Sequence, residues 1–219
     1  MNNNIGRLMI KYISENLDSY GSSILEHIGL SVLALVVAIS IGIPFGYFSV
    51  KYKNREKTIS SFFQILRIIP SLAVLILLIP FMGTGIKPAL TALILLAIPP
   101  ILLNTAAGLQ GVPDFMLETA YGMGMTEQQV LFKVKFPLAL PLIMTGLKTA
   151  MIEIIASATL ASKIGAGGLG DIIFTGLGLN RPDLLLVGGI TVALLSITAT
   201  GLLELLDHLL LKYKYLKKE

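Results

Sequence analysis

Residues Ile28 to Val50 carry no charged side chain, a run of 23 positions. As a helix rising about 1.5 Å per residue, such a run is long enough to cross the roughly 30 Å hydrocarbon core of a bilayer. Four further apolar runs follow. The second goes from about Ile59 to Met82 and is interrupted once, at Arg67. The third, Ala89 to about Leu109, contains Pro99-Pro100, which should kink or locally unwind it. The fourth, about Pro137 to Ser162, carries Lys148 and Glu153. The last, Leu184 to Leu203, continues as helix to about Leu211. A weaker apolar segment, Ile172 to Leu179, precedes it. The expected architecture is all-α and integral to a membrane, with five transmembrane helices and no internal repeat.

Composition agrees with this reading. Apolar residues make up 54% of the chain and charged residues 14%, with a mean hydropathy of +0.81. A soluble chain carries about 25% charge. So few charges could not clothe the apolar surface, which makes lipid the expected solvent. Residues 1–23 are polar with scattered charge and lack an apolar core of signal-peptide length, so they read as an amphipathic entry segment. The membrane domain is expected over 24–212 and a basic tail over 213–219.

Several chemistries are excluded. There is no cysteine, hence no disulfide framework, thiolate metal site or Cys nucleophile. The two histidines, His27 and His208, are far apart and are expected at the membrane interfaces, so no metal site is expected. No nucleophile–base constellation is recognisable and no G-x-x-x-x-G-K-[ST] phosphate loop occurs, so the chain is not expected to be an enzyme or to bind a cofactor. The net charge of +4 fits loop lysines that set membrane orientation better than nucleic-acid binding.

Those loop charges give a direction. With the N-terminus outside, ten Lys and Arg fall on the inner side: Lys51, Lys53, Arg55, Lys57, Lys133, Lys135, Lys212, Lys214, Lys217 and Lys218. Five fall outside: Arg7, Lys11, Lys87, Lys163 and Arg181. The excess favours N-out and C-in. It also puts the polar interlude between the third and fourth runs, residues 110–137, in the cytoplasm.

That interlude predicts two short helices. Pro113 suits a helix start, Asp114 lies in the first turn, and Gly122 and Gly124 end the piece. Thr126-Glu127-Gln128-Gln129 fits a capping box opening a second piece, which Pro137 should close. The plain reading is a helical hairpin that connects two spans.

The same loop resembles a family pattern. ABC-importer permeases carry E-A-A-x3-G-x9-I-x-L-P at this place. Here it reads Glu118-Thr119-Ala120, three residues, Gly124, nine residues, then Val134-Lys135-Phe136-Pro137. The segments Arg67-Ile68-Ile69-Pro70-Ser71-Leu72-Ala73, Pro100-Ile101-Leu102-Leu103-Asn104-Thr105, Gly122-Met123-Gly124-Met125-Thr126 and Ile164-Gly165-Ala166-Gly167-Gly168-Leu169-Gly170-Asp171 are similar to the osmoprotectant branch, which imports glycine betaine, choline, carnitine and related betaines. Leu103 departs from it, standing where that branch often has Arg.

The resemblance implies a type I ABC importer permease (MetI-like) in the cell membrane. It implies a coupling helix carrying Glu118, Thr119, Ala120, Gly122, Gly124 and Pro137, seated in a groove of a cytoplasmic ABC ATPase. ATP and Mg would belong to that ATPase. The other implied partners are a second permease copy or paralogue and an outer substrate-binding protein.

Other positions keep two readings each. Arg67 and Glu153 are costly within spans and should face the interior, as a buried ion pair or as lining of an aqueous path. Glu153, with Ser157 one turn on, would suit a quaternary ammonium ion. Ser71, Asn104 and Thr105 either re-satisfy carbonyls freed by nearby prolines or line the path. Lys148, nearer the inner end, can snorkel. Gly165, Gly167, Gly168 and Gly170 match G-x-G-x-x-G, but no strand precedes them; they read as an outer gate or a tight turn. The competing functions are an importer of another small solute such as an amino acid, a secondary carrier or channel, and a membrane anchoring protein.

Overall fold

The computed structural model describes residues 2–211; the basic tail expected over 213–219 lies outside the described residues. Helices joined by short turns make up these residues, with no strand among them. In chain order the helices are α1 (Asn2–Glu15), α2 (Leu17–Lys51), α3 (Lys53–Leu66), α4 (Ser71–Met82), α5 (Ile86–Gln110), α6 (Asp114–Gly122), α7 (Glu127–Val130), α8 (Phe136–Ala161), α9 (Leu169–Gly178) and α10 (Pro182–Leu210). A π turn, Leu131–Lys135, joins α7 to α8, and a 3-10 turn, Ser162–Ile164, follows α8.

Four helical stretches are long and apolar enough to cross a membrane: Leu17–Lys51, Ile86–Gln110, Glu127–Ile164 and Pro182–Leu210. The run expected as a second single span is instead two helices, α3 and α4, parted at Arg67–Pro70. The reason is local. Pro70 has no N–H and pushes the residue before it away from helical angles. Arg67 thus lies in an exposed turn. The interior placement that a buried pair with Glu153 requires is not what the fold gives it.

Pro99 and Pro100 do not unwind their helix, because α5 runs on through both. One other proline expectation is corrected. Pro137 does not close the loop's second helix. The π turn carries α7 into α8, with the Phe136 N–H bonding back five residues to the Leu131 carbonyl. Widening the helix just ahead of a proline makes room where its ring would meet the preceding turn.

By internal packing the chain falls into two compact units, Met1–Val37 with Ile69–Ala97 and Met151–Thr200, and Ala38–Ile68 with Ile98–Ala150 and Gly201–Glu219. Helices α2, α5, α8 and α10 contribute residues to both. The first unit buries Leu75, Ala89, Ala92, Ala161 and Ile164 in one cluster. A second cluster, around Leu169, Ile172, Leu184 and Val187, receives Met9, Tyr12 and Ile13 from α1. These residues lie on one face of α1, at helical spacing, which is why the N-terminal segment folds as a helix.

In the second unit α2, α5 and α8 meet through small residues. A Cβ added at Gly46 of α2 would lie 2.7 Å from Thr105 Cβ and 2.9 Å from the Leu102 carbonyl oxygen of α5. Small residues at such places let helix backbones approach closely in an apolar solvent, where dispersion rather than hydrophobicity drives association. Much of the remaining apolar surface is left uncovered by the chain itself: 17% of the apolar window of α10 and 28% of that of α2 are buried. Such faces need lipid or other chains against them.

The close approach at Gly46 generates a prediction. Gly46→Leu overpacks the contact and should destabilise the protein by about 1–3 kcal/mol, read as a lowered Tm in detergent. Gly29→Ala, where nothing lies within 4 Å, should leave Tm unchanged or slightly raised.

Candidate functional site

The loop between α5 and α8 folds as a hairpin of two short helices. Helix α6 begins after Pro113, whose φ of −62° and ψ of 136° set the chain at the helix entrance, with Asp114 in the first turn. It ends in a Schellman motif. The Met125 N–H donates to the Ala120 carbonyl at 3.1 Å, and the Gly124 N–H to the Tyr121 carbonyl at 2.9 Å. Gly124 occupies the left-handed position that this motif requires, at φ 76°, a conformation that costs other residues about 1–2 kcal/mol.

Helix α7 opens with the capping box that its sequence predicts. The Gln129 N–H donates to Thr126 Oγ1 at 3.4 Å, and the Thr126 N–H to Gln129 Oε1 at 2.9 Å. Reciprocal bonds of this kind satisfy two donors that a helix start otherwise leaves open. Ala120 of α6 and Val130 of α7 are the buried anchors, each 1% exposed. Glu118, Thr119 and Gly122 point to the surface. Thr119 spends its hydroxyl on the Phe115 carbonyl of its own helix at 2.7 Å. Phe115, Tyr121 and Met123 are also exposed. The hairpin therefore exposes apolar side chains and an acid. Through the π turn its second helix is continuous with α8, so displacing the hairpin displaces the start of α8. Pro137 is the second residue of α8, within this continuous helix.

The sequence-predicted path residues fall on three helices, α4, α5 and α8. Thr105 is fully buried and donates to the Ile101 carbonyl at 2.7 Å. Asn104 is half-buried and donates to the Pro100 carbonyl at 2.8 Å. Neither reaches a carbonyl freed by Pro99 or Pro100, which lie four residues before those prolines; side chains on a helix reach back one turn and no further. Ser71 is half-buried in the first turn of α4. On α8, Ser157 is buried and Glu153 half-buried.

The glycine stretch between α8 and α9 is tightly bonded. Gly165, Gly167 and Gly168 take φ values of 83°, 78° and 81°. The Gly165 N–H donates to the Ser162 carbonyl at 2.9 Å and the Ala166 N–H to the Ala161 carbonyl at 3.2 Å, the same cap that ends α6. The Gly168 N–H donates to Glu26 Oε2 at 3.0 Å. Gly170, the second residue of α9, lies hard against the Thr159 carbonyl and Ser162. Lys163 lies 4.2 Å from the Phe174 ring centroid, a cation–π contact. Partial burial, and then the nearby Glu26 carboxylate, push the Asp171 carboxyl above the ordinary carboxylate range.

Three residues escape the reading of the sequence alone. Glu26 anchors the glycine stretch. His27 is buried within the protein, its Nε2 paired with the Ile155 carbonyl at 3.1 Å. Its ring lies against Gly168, where a side chain would collide with it. Asp207 holds Lys148, with Nζ to Oδ2 at 2.8 Å and side chains only 20% and 14% exposed. An ammonium group held in an apolar segment calls for a counter-ion, and Asp207 on the last apolar helix was the signal available.

The loop pattern, the four long apolar stretches and the hairpin continuous with α8 find their match in known proteins. Residues 38–212 fit the family described as binding-protein-dependent transport system inner membrane component. The chain belongs to this family. Among curated relatives, the carnitine transport permease protein OpuCB of Listeria monocytogenes is 38% identical over 91% of this chain and 92% of its own. The glycine betaine/carnitine/choline transport system permease protein OpuCB of Bacillus subtilis is 41% identical over 78% and 79%. An inward-facing structure of the MetNI methionine ABC transporter superposes with a TM-score of 0.75 at 22% identity, covering 89% of this chain and 95% of that one. That likeness fixes the fold.

Two predictions follow from the geometry of this permease. Thr126→Ala removes half of the capping box and should cost about 1 kcal/mol locally, seen as faster hydrogen exchange at the Gln129 amide. Asp207→Ala strands the Lys148 ammonium and should destabilise by a few kcal/mol, near the lower end of the about 3–5 kcal/mol typical of a broken buried pair. The joint change Lys148→Met with Asp207→Leu should recover most of that loss in thermal unfolding.

Proposed function

We propose that this permease is the membrane-spanning subunit of an ATP-driven importer for quaternary-ammonium solutes of the betaine type. The chain is multi-pass, with its N-terminus outside and its C-terminus in the cytoplasm. A cytoplasmic ABC ATPase grips the α6–α7 hairpin, a second permease copy or paralogue completes the pore, and an outer binding protein delivers the solute. ATP and Mg reside on the ATPase.

The observation that carries this reading is the Glu118–Pro137 pattern folded as a hairpin whose second helix continues into α8. ATP-driven motion of a subunit gripping the hairpin's exposed side chains would reach the membrane helices without a flexible joint between. Support for the solute class comes from near full-length similarity to the permeases named for carnitine, choline and glycine betaine. Glu153 and Ser157 on α8 are the proposed polar contacts of the path, with Ser71, Asn104 and Thr105 as further candidates. The glycine stretch is proposed as a bonded outer gate.

Reconstitution tests the reading. Vesicles holding the permease with its ATPase and binding protein should take up a radiolabelled betaine only with ATP, and should not take up methionine. Gly124→Val, which strains the Schellman turn, should lower uptake at least tenfold while the complex still purifies. Uptake that persists without the ATPase would replace this reading with a secondary carrier. Orientation is read separately, because the chain has no cysteine. An impermeant maleimide should label Lys87→Cys in intact cells and Lys133→Cys only after permeabilisation.

A further inference from the structure

The second unit contains a cavity of about 370 Å³ where the end of α2 meets the α6–α7 hairpin. Its polar lining is Lys51 and Tyr47 of α2, Tyr121 of α6, Glu127 of α7 and Lys135 of the π turn. The aliphatic part includes Leu109 and Val130. Lys51 is exposed, with its Nζ 5.9 Å from the Tyr47 ring centroid, at the outer range of a cation–π contact. Two ammonium groups against one carboxylate leave a single positive charge in excess. Tyr47 and Tyr121, also in the lining, carry phenol groups able to donate hydrogen bonds.

We infer that this cavity binds the phosphodiester headgroup of an anionic phospholipid. Three observations select that ligand. The excess of one positive charge matches a phosphodiester monoanion. The aliphatic lining, and the exposed Phe48 and Phe132 next in sequence to lining residues, suit the glycerol and first acyl carbons rather than a free ion. Lys51 ends an apolar span and opens the basic run Lys51-Tyr52-Lys53-Asn54-Arg55-Glu56-Lys57, the kind of segment that draws anionic lipid to the cytoplasmic leaflet. The inference rests on the inner-side orientation proposed above. A headgroup seated here touches both α2 and the hairpin, so it ties the first long span to the element that the ATPase is proposed to grip.

The test uses the full-length permease in nanodiscs of phosphatidylcholine with a quarter phosphatidylglycerol, lipids retained on the protein being counted by native mass spectrometry. Phosphatidylglycerol should be enriched over phosphatidylcholine. Lys51→Gln with Lys135→Gln should reduce that enrichment roughly tenfold or more. Lys51→Arg with Lys135→Arg should keep it, which also shows that the altered site still folds. Lys133→Gln, an exposed neighbour outside the cavity, should change little. An equal loss with Lys133→Gln would mean a diffuse surface field and overturn the site. Displacement of the lipid by millimolar inorganic phosphate, or by adding the ATPase, would overturn it too, in favour of a free anion or of the protein partner. The readout does not involve transport, and nanodiscs expose both leaflets. Its failure is therefore distinguishable from failure of the maleimide labelling or of uptake.

Discussion

Backbone N–H and C=O groups in an apolar solvent have no water to bond, so the chain must satisfy them itself. Nearly every local feature of this permease follows from that constraint. The apolar runs become helices because helices bond their own backbone. Several helix ends are closed by caps. The same Schellman geometry closes α6 at Gly124 and the end of α8 at Gly165. The start of α7 is closed by the Thr126–Gln129 capping box. Prolines that would leave gaps are absorbed within continuing helix, as in α5, or met by a π turn, as ahead of Pro137.

The hairpin gains its mechanical character from this economy of bonding. A loop joined to its helix by flexible chain would move without moving the membrane. Here Glu127 begins a helical stretch that reaches Ile164 without a break. Both hairpin helices are pinned by small or apolar anchors, Ala120 and Val130, while the exposed side chains are left for a partner. Charge is handled with the same care. Lys148 is answered by Asp207, and the Glu26 carboxylate is answered by the backbone of the glycine stretch. Neither group is left to compete with lipid for solvation.

The helical membrane architecture, the two-piece hairpin, the turn at Gly124 and the capping box were legible in the residues. The placement of charge was not. Arg67 read as an interior residue because hydropathy runs straight across it, yet Pro70 ends the helix before it can be buried. Lys148 read as a residue able to snorkel because it lies nearer the inner end of its run, and its ion pair with Asp207 was not foreseen. His27 read as lying near one end of the membrane region, and its bond to the Ile155 carbonyl was not foreseen.

What the sequence determined by itself is whatever contiguous residues encode: span length from uncharged runs, helix ends from caps, and the turn from a glycine that alone takes positive φ without strain. What the tertiary structure decided is which distant groups meet. Asp207 lies 59 residues from Lys148, Ile155 lies 128 from His27, and Gly168 lies 142 from Glu26. No local pattern contains those distances. They exist because the helices pack against chosen neighbours, at contacts as close as that of Gly46 on Thr105, and a buried polar group then bonds whatever that packing brings within reach.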